Sequence, residues 1–329
     1  MPDLNKILSA QTPLTLSGLA RGAQPLVLAD LARAAARKQG GGRAVFIAPD
    51  EAAMQAVADA AAFFAPELDV ISLPGWDCLP YDRASPALSV SARRLAALYR
   101  LQGKAAGPQL LVTTINAALQ RVLSPFRIRE SVRQLKPGME IGRESLIALL
   151  QRQGYSRTDT VVDAGEYAVR GSIFDIYPSG LEAGLRLDFF GDELETLRLF
   201  DPNTQRSIGT REQHLLLPAS EALLDDDSVK RFRSHYREMF GANATGDPLY
   251  QTISDGRRLA GMEHWLPLFE DRMVTLFDHL SADDLVVIDS SAQGAADERL
   301  GDIADDFAAR SDTAGKAAGA YRPLKPDAR

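Results

Sequence analysis

Arg43–Asp50, RAVFIAPD, and the stretch that follows it at Glu51–Pro66, EAAMQAVADAAAFFAP, decide the fold class. The first is a short, continuous apolar run bounded by a proline and an acid, which reads as a buried strand; the second is long enough to be a helix. The same grammar holds on both sides. Upstream, LTLSGL (14–19) reads as a short buried strand leading into a turn. PLVLADLARAAARK (25–38) then reads as a helix with proline in its first turn and basic residues at its end, stopped by Gly40 to Gly42. Downstream, DVISLPG (69–75) is a strand, SVSARRLAALYRLQ (89–102) a helix, and QLLVTTINAALQRVL (109–123) a strand, turn and helix. Repeated strand-then-helix units predict an α/β domain with a parallel, doubly wound sheet.

The pattern changes after Phe126. RESLIALLQRQGY is a helix, but DTVVDAGEYAVRG, SIFDIYP, GLRLDFFGDELETLRLFD and SIGTREQHLLLP form a run of strands, with Gly191-Asp192 the clearest hairpin turn. A helix plus an antiparallel meander predicts an α+β unit. Beyond Pro218 helices return, DDSVKRFRSHYREMFG among them, and one more buried strand, DDLVVIDSS, is expected to rejoin the first sheet. The middle unit is thus an insertion: residues 1–131 and 219–329 are the two halves of one α/β domain, and 132–218 the inserted α+β domain. The terminal TAGKAAGAYRPLKPDAR is rich in Gly, Ala and Pro and points to a chain cut from a longer protein.

Composition narrows the function classes. A net charge of -7 argues against a surface that embraces phosphate backbone throughout, because nonspecific DNA affinity comes from clustered Lys and Arg. A basic strip from Arg127 to Arg157 leaves room only for local contact. The single cysteine, Cys78, excludes an internal disulfide, and His214, His235, His264 and His279 lack metal-ligand spacing. With no membrane-length apolar run and no secretory signal pattern, the expected compartment is the cytoplasm.

A phosphate-binding loop needs a glycine-rich strand-to-helix turn, a lysine and a magnesium-binding hydroxyl. In the frame Gly18 to Pro25, GLARGAQP, the last glycine is replaced by Ala23, the lysine by Gln24 and the hydroxyl residue by Pro25. The partner motif ends a buried strand with two carboxylates, one for the metal and one for water. Here LVVIDSS supplies Asp289, but Ser290 stands in the second place. Both halves of a nucleotide site are degenerate, so no ATP hydrolysis is expected of this chain.

GLARGAQP, LPGWDCLPYDRASP, LVTTINAALQRV, GEYAVRGSIFDIYPSG with RLDFFGDELETLRLFD, and LVVIDSS follow one another in the order found in transcription-repair coupling factors. The chain resembles the amino-terminal module of that family, which is itself like the excinuclease protein UvrB. UvrB is the alternative, as a damage-binding protein. It keeps an intact phosphate loop and carries a long DNA-clamping hairpin, for which Asp82 to Ser91 is too short. The resemblance implies that the inserted domain docks UvrA, the excinuclease protein that partners UvrB, through Arg170, Arg186 and Phe190. It implies no cofactor for this stretch, ATP and Mg belonging to motor domains outside it. For a full-length relative it implies RNA polymerase, double-stranded DNA and its own carboxy-terminal domain as further partners, and no membrane. Strand alternation supports the docking residues independently: Leu185, Leu187 and Phe189 share one face, while Arg186, Asp188 and Phe190 share the other. Arginine and aromatic residues together are the types enriched at interface hot spots.

Overall fold

The computed structural model describes residues 7, 10, 12–37, 41–241, 245–314 and 322–326. The Gly40 part of the expected helix stop and most of the Gly/Ala/Pro-rich tail lie outside the described residues. The chain falls into two compact units, the first made of Met1–Gly75, Ala97–Arg121 and Val274–Asp302, the second of Trp76–Ala96, Val122–Met273 and Ile303–Arg329.

The first unit contains a four-stranded parallel sheet of β1 (Ala44–Ala48), β2 (Asp69–Leu73), β3 (Gln109–Thr114) and the strand Leu285–Ile288. Leu285–Ile288 lies at one edge beside β1, followed by β3 and then β2. The expected return of LVVIDSS to the first sheet is therefore realised, with Val286 opposite Val45. Helix Glu51–Phe64 starts where the Asp50 carboxylate accepts from the Ala53 amide at 2.8 Å, and helix Gln24–Ala36 carries Pro25 in its first turn. Val27, Leu28 and Leu31 from one helix and Met54 and Val57 from the other share a core with Ala44, Phe46, Leu110 and Val112. Each large aliphatic side chain buried there contributes about 1.5–3 kcal/mol.

Two expectations fail in this unit. LTLSGL forms no strand, and Leu14, Leu16 and Leu19 are exposed. Its alternation suits a strand, but a strand needs a hydrogen-bonding neighbour, and no strand of the described sheet pairs with it. Leu285–Ile288 is not fully buried either. Leu285 and Val287 pack against the helix-covered core, whereas Val286 and Ile288 are exposed, as an edge strand covered on one face allows.

The second unit holds a six-stranded sheet: β5 (Ser156–Arg157), β6 (Glu166–Arg170), β7 (Ile173–Ile176), β8 (Gly184–Phe190), β9 (Glu193–Phe200) and β10 (Ser207–Arg211), after a short β4 (Arg133–Leu135) that stands apart. The six are neighbours in chain order and antiparallel, except that β5 and β6 are parallel. Gly191, at φ +63, and Asp192 make the hairpin between β8 and β9. SIGTREQHLLLP is not one strand of a meander. It bends at Glu212, so that β10 completes the sheet and β11 (His214–Leu216) pairs with β4 in a separate two-stranded ladder. Helix Arg143–Arg152 covers one face of the large sheet, its Leu146 and Leu150 packed with Tyr167, Phe174, Leu185, Leu187 and Leu197.

From Trp76 onward the motif LPGWDCLPYDRASP is pinned inside this unit. Arg94 and Glu221, both fully buried, form an ion pair at 2.7 Å, and the Trp76 indole N–H donates to the same Glu221 oxygen at 2.8 Å. No hairpin forms between Asp82 and Ser91; helix Leu88–Leu101 begins there instead.

Candidate functional site: the open face of the six-stranded sheet

β8 carries the local design. Leu185, Leu187 and Phe189 are buried in the core beneath the helix, while Phe190 is 76% exposed. Arg186 faces the other way, although its guanidinium is not free. Its Nε and Nη2 donate to the two oxygens of Asp175 at 2.6 and 2.9 Å, and Arg170 Nη2 donates to the second of these at 3.2 Å. Asp175 stands directly opposite Arg186 in the β7–β8 register and is 1% exposed. Hydrogen bonding to Asp175 is the main cause that raises the Arg186 pKa, so this cation keeps its proton.

Arg198 is the cross-strand partner of Arg186 on β9, a like-charge pairing that would be unfavourable if left uncompensated. Asp175 takes Arg186, and Asp188 accepts from Arg198 at 2.8 Å, which resolves the repulsion. The Arg186 guanidinium lies 4.8 Å from the centroid of the Phe200 ring. Gly184 lets that ring lie flat on β8, since a Cβ there would sit 2.2 Å from a ring carbon. The exposed donors of this face are those of Arg170 and Arg198, whose side chains are 53% and 36% exposed, against 17% for Arg186. The surface thus offers an exposed aromatic ring, the reachable guanidinium groups of Arg170 and of Arg198, the latter tied to Asp188, and that of Arg186 held rigidly behind them. That combination suits a protein partner bearing carboxylates, which arginine binds with directional hydrogen bonds.

Asp175 escaped the sequence reading. Its signal was an acid inside the apolar run SIFDIYP, which alternation places on the face opposite Phe174 and Ile176, where a cation must meet it.

In the first unit, the positions singled out as a degenerate nucleotide site are partly brought together. Gly18 lies in an exposed irregular stretch, Ala23 ends a single 3-10 turn (Arg21–Ala23), and the buried Pro25 follows Gln24 in the first turn of the helix. Gln24 Nε2 donates to Asp289 Oδ2 at 3.3 Å. Asp289 Oδ1 accepts from the Ser291 amide and hydroxyl at 2.9 and 2.6 Å, and Ser290 is exposed. Among the described residues no group of three or more His, Cys, Asp or Glu is placed to hold a metal ion, and no helix is long and apolar enough to cross a membrane.

Residues 134–221, the segment that holds the six-stranded sheet and its covering helix, match the UvrB interaction domain family. Over two thirds or more of its length the chain is similar to bacterial transcription-repair-coupling factors. It is 39% identical over 221 residues to that of Haemophilus influenzae, covering 67% of this chain and 19% of that protein. It is 36% identical over 247 residues to the Escherichia coli protein (75% and 21%), and 31% identical over 253 residues to that of Rickettsia bellii (77% and 22%). The chain spans about one fifth of the length of these relatives.

Proposed function

We propose that this chain is an adaptor module of transcription-coupled nucleotide excision repair, recruiting UvrA through the open face of the six-stranded sheet. The observation that carries this reading is Phe190, three-quarters exposed at the end of the strand that carries Arg186, on a segment that matches the UvrB interaction domain. An exposed aromatic ring on the strand that carries an arginine joins two residue types enriched at interface hot spots. Arg186 contributes by charge and by holding the face rigid, Arg170 by direct hydrogen bonding. Sedimentation of the chain mixed with UvrA should give a faster-moving complex; two species that sediment independently refute the role.

The first unit belongs to the same reading as a degenerate nucleotide fold interrupted by the 132–218 insert, and its residues do not fit ATP with magnesium. Gln24 supplies an amide where phosphates need a cation, Pro25 has neither hydroxyl nor amide hydrogen, and Ser290 cannot act as a carboxylate. The Gln24–Asp289 hydrogen bond ties the helix start to the end of the edge strand by side chains alone. ATP and magnesium belong to motor domains of the longer relatives, as do contacts with RNA polymerase and double-stranded DNA. A carboxy-terminal domain that masks the docking face would act as a steric switch, since one surface cannot satisfy two partners. Such a module works in the cytoplasm, beside the DNA.

A further inference from the structure

The open face of the six-stranded sheet has a second end, away from Phe190. Phe200, with Arg186 over its ring, packs with Val161 and Ala168, and Tyr177 rests against this group. Past Tyr177 a cavity of about 230 Å³ opens. Val162, Tyr177 and Ile208 line it together with the acidic Glu182 and Asp201, and its surface is more polar than apolar. Ile208, on the edge strand β10, is 61% exposed and Val162 48%. The volume is below the roughly 300–1,000 Å³ of small-molecule sites and suits a single long side chain.

The electrostatics of this end are opposite to those at Arg170. Burial raises the pKa of the Tyr177 phenol, and Glu182 and Asp163 push it further the same way, a sign of negative potential in the cavity. The amides of Asn203 and Thr204 donate to Asp201 Oδ1 at 2.8 and 3.4 Å, which lowers its pKa and keeps it charged. An aliphatic wall with carboxylates at the rim is the complement of a lysine or arginine side chain, whose stem is apolar and whose head is cationic.

We propose that this cavity is the second anchor of the docking face, receiving a lysine or arginine of the same protein partner whose carboxylates meet Arg170. The proposal rests on the docking reading above and adds a geometric demand to it. β8 runs from Gly184, beside the cavity, to Phe190, and six residue steps at about 3.3 Å each set the cavity about 20 Å from Phe190, with Arg170, bonded to Asp175 opposite Arg186, between the two. The partner must therefore present a ring-accepting patch and a basic side chain at that separation, with a carboxylate between them.

Calorimetric titration of UvrA with the full chain and three variants tests this. Glu182→Lys, at an exposed position, should weaken binding about tenfold, and Phe190→Ala should weaken it at least as much. Glu144→Lys, an equal charge change on the helix covering the opposite face, should leave it unchanged. If Phe190→Ala binds as the parent does, the docking reading itself falls. If Phe190→Ala is impaired while Glu182→Lys is not, the docking face stands and the second anchor is refuted. Equal losses in Glu182→Lys and Glu144→Lys reduce the effect to net charge and refute it as well.

Discussion

Replacing Arg186 by alanine removes more than a contact residue. Its guanidinium supplies two of the three side-chain hydrogen bonds that Arg170 and Arg186 make to Asp175, whose carboxylate is 2% exposed. What remains is Arg170 Nη2 at 3.2 Å, from a side chain that is half in water. Removing one partner of a buried pair typically costs about 3–5 kcal/mol, because the other charge is stranded. The Arg186 side is 17% exposed and water can enter the space it leaves, so the lower end, about 3 kcal/mol, is expected. The loss of the ring contact with Phe200 is included in that figure. Urea unfolding followed by circular dichroism should show the destabilisation with little change in m-value. The double variant Arg186→Met, Asp175→Leu should recover most of it, since the only charge left without its partner is that of Arg170, which is half exposed and solvated by water. An Arg186→Ala variant within about 0.5 kcal/mol of the parent, the range of ordinary surface changes, refutes the rigid-support role of the pair. A loss of UvrA binding in that variant therefore mixes folding with contact, whereas Phe190→Ala changes contact alone.

Gly184→Ala should destabilise by about 1–3 kcal/mol in the same unfolding assay, the range for overpacking, because the new methyl collides with the Phe200 ring. Glu221→Gln should cost about 3 kcal/mol or more by leaving the buried Arg94 guanidinium poorly compensated; an effect under 1 kcal/mol would show that Gln can replace the ion pair. His214 gives a pH signature: burial, aided by Arg211, lowers its pKa from 6.5 to about 4. Between those values the unfolded chain binds more protons than the folded one, so stability should fall as pH drops through that window, by about 3 kcal/mol in all, and His214→Leu should flatten the slope. Incubation with Mg-ATP, with and without DNA, should release no phosphate from this chain; sustained turnover would contradict the account of Gln24, Pro25 and Ser290.

Much of the fold was legible because the strands of the first sheet are continuous apolar runs followed by helices, as at Arg43–Phe64. LTLSGL misled for a physical reason: a six-residue alternating pattern reports only that a strand is possible, whereas pairing depends on a partner elsewhere. The split of SIGTREQHLLLP was hidden likewise, since its second half pairs with β4, some 80 residues earlier, a contact no local pattern encodes. On the open face of the sheet, alternation along β8 was enough to separate Arg186 and Phe190 from the core. The state of Arg186 was not, because whether it is free or clamped depends on cross-strand register with Asp175.

Affinity of UvrA for the chain and for its Phe190→Ala variant, measured side by side at one salt concentration, bears most directly on the adaptor role. Saturable binding by the parent and a loss of about 2 kcal/mol, roughly thirtyfold, in a variant with unchanged unfolding is the predicted result. Equal affinities in two equally stable proteins would contradict it.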